Sequence, residues 1–293
     1  MQIRIQHETR YTYDGPVMLE PHVIRLWPRA DPTQHILRYR IQVFPEPVGR
    51  GFYLDAQGNS VLRVWFSSMT DHLRIIAFGE VETLRSNPFD FLILPEAARL
   101  PMRWTERMGP TLLPFLSVDA SEEMAPVREL ARALAREVDQ EILPFLGAAN
   151  QRIHESIRVV RRHHGAPLPP HETLMRGEGA CRDLAMLFIE MCRQMGLPAR
   201  FVSGYAAGVD PIEDAHLHGW AEVCLPGGGW RGYDPTLGLA VADQHIALAA
   251  GAPPENTLPV EGSFRGTGRS ATMEVELRLE STGSSLDEQS LAG

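Results

Sequence analysis

Over residues 1 to about 85, apolar and polar positions alternate with a period of two. Ile3 and Ile5 alternate with Gln2, Arg4 and Gln6, and Tyr39, Ile41 and Val43 alternate with Arg38, Arg40 and Gln42. This is the pattern of half-buried antiparallel strands. Asp55-Ala56-Gln57-Gly58-Asn59 is rich in turn formers and separates Phe52-Tyr53-Leu54 from Val61-Leu62-Arg63-Val64-Trp65-Phe66, which predicts a hairpin. Residues 86 to 118 carry several prolines and no sustained period, as expected of a connector.

Helical spacing then takes over. Ser121 followed by Glu122 and Glu123 predicts a helix start, with Val127, Leu130, Ala131 and Leu134 on one face. Ile153, Ile157 and Val160 predict a second helix running toward Gly165, before a proline-rich loop. A third is expected from about Cys181, with Leu184, Leu187, Phe188, Met191, Cys192 and Met195 on its apolar face and Gly196 and Pro198 closing it. Short strands follow at Arg200 to Tyr205, Trp220 to Leu225 and Trp230 to Asp234, the last two joined by Pro226-Gly227-Gly228-Gly229. Met273, Val275, Leu277 and Leu279 alternate with Glu274, Glu276, Arg278 and Glu280, which predicts one late strand with a wet face.

The order is therefore α+β. A β-rich unit is expected over residues 1–115, helices and a core over 116–280, and a polar, disordered tail over 281–293. The 293-residue length suits two folded units, and the net charge of −9 argues against nucleic acid or an anionic membrane as partner. No apolar run approaches the roughly 20 residues that span a bilayer. The alternating N-terminus does not read as a signal peptide, so a cytoplasmic location is expected. Three cysteines, Cys181, Cys192 and Cys224, are too few and too unevenly spaced for a disulfide framework or a zinc cluster.

One cysteine carries chemistry. Gly177-Glu178-Gly179-Ala180-Cys181-Arg182-Asp183 puts it where a glycine-rich loop becomes an amphipathic helix. Unpaired N–H groups and the helix dipole stabilise a thiolate there and can receive the oxygen of a tetrahedral intermediate. The partner that moves protons is sought in His216-Leu217-His218-Gly219-Trp220-Ala221-Glu222, where His218, Trp220 and Glu222 share a strand face. Asp234, ending the next strand in Trp230-Arg231-Gly232-Tyr233-Asp234-Pro235-Thr236, can accept a hydrogen bond from the histidine and hold its tautomer. Trp220 is the candidate for lining a substrate groove.

The order G-x-G-x-C-R-D, H-x-W-x-E and W-x-x-x-D-P-T resembles the bacterial transglutaminase-like superfamily, closely so over residues 150 to 265. His7-Glu8-Thr9-Arg10-Tyr11-Thr12-Tyr13 and Arg25-Leu26-Trp27-Pro28 resemble the β-rich domain that often precedes that core. The resemblance implies a papain-like arrangement: Cys181 heads a helix packed on an antiparallel sheet that carries His218 and Asp234. It also implies thioester chemistry without metal or organic cofactor, on a peptide or protein amide, and an association with peptide-forming enzymes. Two departures stand out, Gly219 where an alanine is usual and the extra imidazole of His216.

Bland readings hold for several other residues. Cys192, about 16 Å along the helix from Cys181, and Cys224, in an apolar strand, read as packing residues. Asp183 reads as a dipole-complementing residue, Arg182 as a partner of Glu178, and His163 and His164 as a solvated basic helix end. The expected function is amide hydrolysis through Cys181, His218 and Asp234. Three alternatives stand beside it: a crosslinking transglutaminase using an amine acceptor, a non-catalytic peptide-binding or assembly module, and a metal hydrolase built on His216 and His218.

Overall fold

A computed structural model describes residues 1–95, 98–102, 104, 109–162, 165–207, 217–267 and 269–282. Alternation at the start of the chain yields six strands: β1 (Gln2–Leu19), β2 (His22–Ile24), β3 (Gln34–Phe44), β4 (Gly49–Leu54), β5 (Ser60–Trp65) and β6 (Met69–Thr83). The predicted hairpin is β4–β5, its turn held by Asp55 Oδ1, which accepts from the N–H groups of Gln57 and Asn59. Helices α1 (Gly109–Leu116), α2 (Ala125–Glu137) and α3 (Ile142–Ser156) come next. Then follow β7 (Arg158–Val159), α4 (Pro170–Arg176), β8 (Glu178–Gly179) and α5 (Cys181–Gln194). The core strands are β9 (Ala199–Ala206), β10 (His218–Leu225), β11 (Gly229–Asp234), β12 (Leu239–Ala240) and β13 (His245–Gly251). Short β14 (Val260–Glu261) and β15 (Phe264–Arg265) lead to the long β16 (Ala271–Thr282).

The core sheet has the order β12-β11-β10-β9-β13, antiparallel throughout. Against one face packs α5, whose stripe of Leu184, Leu187, Phe188, Met191 and Cys192 is fully buried against α2, α3 and Ala221, Val223 and Tyr233 of the sheet. Each such large apolar side chain contributes roughly 1.5–3 kcal/mol. A second core joins Ile3, Ile5, Leu73 and Ile75 of the N-terminal sheet to Tyr205, Ala207, Ile246 and Leu248 of the core sheet. The core sheet and the β-rich region ahead of it thus share this second apolar core in a mixed α+β fold. No helix of the described residues is long and apolar enough to cross a membrane.

Several expectations change. α3 stops at Ser156 rather than continuing through Val160, because Arg158 and Val159 turn extended and pair in parallel with Glu178 and Gly179, just ahead of Cys181. The connector contains α1 and the proline-rich loop contains α4, both opened or crossed by prolines that mask a helical period. The late strand, expected with the core, pairs along its length with β1, from Gln2↔Thr282 to Tyr13↔Ala271. Its wet face explains this, since only Leu277 is buried and the strand seals a sheet edge instead of filling a core. His163, His164, His216 and the tail from 283 onward lie outside the described residues.

β13 is an edge of the core sheet, and buried amides of the N-terminal region cover its backbone. Gln34 Nε2 donates to Ala247 O at 2.8 Å while Ala247 N donates to Gln34 Oε1 at 3.0 Å. Asn59 repeats the device on Ala250, with bonds of 2.9 and 2.8 Å. An open edge is an invitation to pairing with other chains, and these side chains satisfy it as a neighbouring strand would. Gln34→Leu, which keeps the bulk and strands the Ala247 N–H while the carbonyl keeps its bond from Arg29 N, is expected to lower the unfolding free energy by about 2 kcal/mol in urea denaturation.

Candidate active site

Cys181 is the first residue of α5 and is partly exposed. The loop before it is fixed by the β7–β8 pairing and by Val160 N–H donating to Gly179 O at 2.9 Å. Asp183 locks the helix start. Its carboxylate has no exposure and accepts from Ala180 N at 2.8 Å, Leu168 N at 2.7 Å and Arg162 Nη2 at 2.5 Å. The dipole role expected for Asp183 is thus joined by a scaffold role: it ties three stretches of chain together at the start of α5. Glu178, the expected partner of Arg182, pairs with Arg158.

His218 lies on β10 and Asp234 at the end of β11, and the antiparallel register Ala221↔Tyr233 brings them together. His218 Nε2 donates to Asp234 Oδ2 at 2.6 Å. The other ring nitrogen is left for Cys181, to which His218 is also hydrogen-bonded. The three predicted residues therefore form one chain of contacts. Burial pushes the Cys181 thiol up, but the hydrogen bond and charge of His218, with a hydrogen bond from the Gly219 N–H, outweigh it and bring the thiol below its ordinary value. Burial alone would lower His218; Asp234, by charge and hydrogen bond, and Cys181 raise it well above the usual imidazole value. Burial likewise opposes the charge on Asp234, yet His218 and a second histidine hold it well below the carboxylate range.

That second histidine is His245, the first residue of β13, whose Nε2 donates to Asp234 Oδ2 at 3.0 Å. Sequence reasoning missed it because Asp243-Gln244-His245-Ile246-Ala247 has no motif; an imidazole opening an apolar run is its one signal. His218, Asp234 and His245 present ligand atoms within 4.8 Å of one another, a spacing a metal ion could use. The carboxylate–imidazole hydrogen bonds by themselves account for that closeness.

Trp220, expected along a substrate groove, is 1% exposed and packs among Val202, Ala247 and Ala250. Its ring lies 6.3 Å from that of His218 and 5.1 Å from that of His245, so it supports the imidazoles from below. The shared strand face is open at His218 and closed two residues later. A Cβ on Gly204 would sit 2.5 Å from the Trp220 ring, which shows how tightly that end is filled.

Gly219 is matched to its surroundings: a Cβ there would come 2.6 Å from Phe201 Cζ. Gly219→Ala is expected to cost roughly 1–3 kcal/mol through overpacking. Gly219→Ala with Phe201→Leu should recover most of it, as measured by urea unfolding.

Comparison with known proteins agrees with this arrangement. Residues 3–82 match the bacterial transglutaminase-like N-terminal region and residues 128–235 match the transglutaminase-like superfamily. The uncharacterized protein ML0607 of Mycobacterium leprae is 25% identical over 276 residues, covering 91% of this chain and 94% of its own. The uncharacterized protein Rv2569c of Mycobacterium tuberculosis is 26% identical over 293 residues, covering 94% and 91%. A crystal structure of a candidate cysteine protease from Cytophaga hutchinsonii has the same fold, with a TM-score of 0.70 at 20% identity over 97% of this chain and 92% of that one. With both matched regions in their expected order around the Cys181, His218 and Asp234 geometry, the chain belongs to the bacterial transglutaminase-like superfamily.

Proposed function

We propose that the protein is a cysteine-dependent acyl-transfer enzyme that hydrolyses a peptide or isopeptide-like amide through a thioester. The observation that carries this reading is the hydrogen-bonded sequence from Cys181 through His218 to Asp234, with the thiol at a helix N-terminus. An imidazolium beside a thiolate supplies both a nucleophile and a proton donor near neutral pH.

In the proposed cycle, Cys181 Sγ attacks the amide carbonyl carbon and the carbonyl oxygen takes up negative charge. The Cys181 N–H, at the first position of α5 and ahead of the intrahelical bonds that begin with Asp183 and Leu184 donating to Ala180 O, stabilises that charge. The tetrahedral species collapses with loss of the amine, which leaves with the His218 proton, and a thioester remains. Water then adds to the thioester carbon, giving its proton to His218, and the carboxylic acid departs as the thiolate is restored. Asp234 keeps the His218 tautomer and bears part of the imidazolium charge throughout.

The test needs no known substrate. Because Cys181 is lowered while burial raises Cys224 and raises Cys192 much further, iodoacetamide should label Cys181 first, then Cys224, with Cys192 last. A lowered thiol means that the thiolate is already present below the ordinary value of about 8.5, so Cys181 labelling should plateau on the acid side of it. His218→Ala, which removes the hydrogen bond and charge that lower the thiol, should slow that labelling about tenfold at pH 6. Labelling of Cys181 at the rate of an ordinary exposed thiol would sink the reading. Cys181→Ala is expected to abolish release of amine from responsive amides, and Asp234→Asn to reduce it by orders of magnitude.

A further inference from the structure

Oδ2 of Asp234 is shared. His218 takes it from β10 and His245 takes it from β13, while Oδ1 accepts from Thr236 N at 3.0 Å. His218 and Asp234 belong to one hairpin, so their closeness follows from local register. His245 comes from the opposite edge of the sheet, with β9 between β10 and β13. Its strand is anchored without help from Asp234. Thr83 Oγ1 donates to Asp243 O at 2.6 Å, Ala207 N to Gln244 O at 2.8 Å, and the Gln34 amide engages Ala247. Pairing with β9, from His245↔Ala206 onward, and the bonds from the N-terminal region together set where the His245 imidazole stands.

We infer that His245 is a positioning residue for the reaction: its Nε2–H holds Asp234 Oδ2 in the orientation that faces His218 while the thioester forms and breaks. The inference rests on the reading of the site proposed above. A carboxylate anchored only through Oδ1 can swing about its last torsion, and the His218 bond loses direction. With Oδ2 pinned from a second side, the lone pair aimed at His218 stays in place.

The far side of His245 fits this role. Among the described residues Nδ1 has no partner, nor has Trp220 Nε1, and both side chains belong to residues lining a cavity of about 20 Å³ together with Gln34, Arg85, Glu222 and Gly232. That is room for one water. Trp220 can only donate, and a neutral imidazole that gives its Nε2–H to Asp234 can only accept at Nδ1. A water that takes the indole hydrogen and gives one to Nδ1 fits both and selects that tautomer. The charged groups facing the cavity are Arg85 and Glu222, and Glu222 is already paired with Arg200 at 2.6 Å.

Glutamine can place an amide N–H where Nε2 stands, and asparagine falls short. The full chain, His245→Gln, His245→Asn and His218→Ala are compared by the pH dependence of Cys181 alkylation with iodoacetamide, with protection of the buried Cys192 reporting the fold. The expected result is a native profile, within about threefold, for His245→Gln. For His245→Asn, labelling at pH 6 should be about tenfold slower, with the acid limb displaced upward by about one pH unit. A folded His245→Asn protein with the native profile overturns the inference, as does an equal loss in both variants. If His245→Asn does not protect Cys192, His245→Gln decides alone: a native profile supports the donor role and a displaced one refutes it. An unactivated Cys181 in the native protein is a separate outcome, which removes the proposed function and this inference with it.

Discussion

The charge on Asp234 is the constraint around which the rest is arranged. A carboxylate with no solvent exposure is costly unless its lone pairs are met by donors. Here they are met from β10, from β13 and from the turn after β11. Neutralising one buried group therefore dictates the order of the core sheet at its functional end. The same group holds the imidazole that lowers the thiol, so electrostatic satisfaction and chemical readiness are one requirement. The apolar packing of α5 and the sheet sets the distance across which these donors meet.

A second buried carboxylate does comparable work at the start of α5. Asp183 gathers Ala180, Leu168 and Arg162 and so fixes the loop from which α5 departs. The two anions differ in purpose: one shapes backbone, the other shapes an imidazole. Neither faces solvent.

Much of this was legible in the sequence, for reasons that can be named. Cys181 was readable because a glycine loop, a helix stripe and a cysteine coincide, and His218 and Asp234 because a tight glycine turn between two short strands leaves few registers. Strand alternation at Ile3 and Ile5 or Met273 to Leu279 reports a half-wet surface directly. Partners across the molecule were harder. β13 is buried on both faces and rich in alanine, so it shows no period, and its His245 is brought to Asp234 by pairing at long range. Trp220 was placed on the right face, but a face does not reveal where its cover begins. Prolines hid α1 and α4, and the end of α3 was set by a parallel pairing with residues that follow it by some twenty positions.

The amide clamp on β13 also has a temporal side. Gln34 and Asn59 meet their partners across 213 and 191 residues of chain, and β16 returns to β1 after that. Contacts of such separation form late and slowly, since the entropy of closing the loop comes before the reward. During synthesis, the N-terminal sheet is made long before the strand it must clamp, and His245 emerges after Cys181, His218 and Asp234. A nascent chain can hold α5 and the β10–β11 hairpin while the Asp234 carboxylate lacks its bond from His245. The order of emergence from the ribosome thus delays the complete arrangement around Asp234 until β13 has been made.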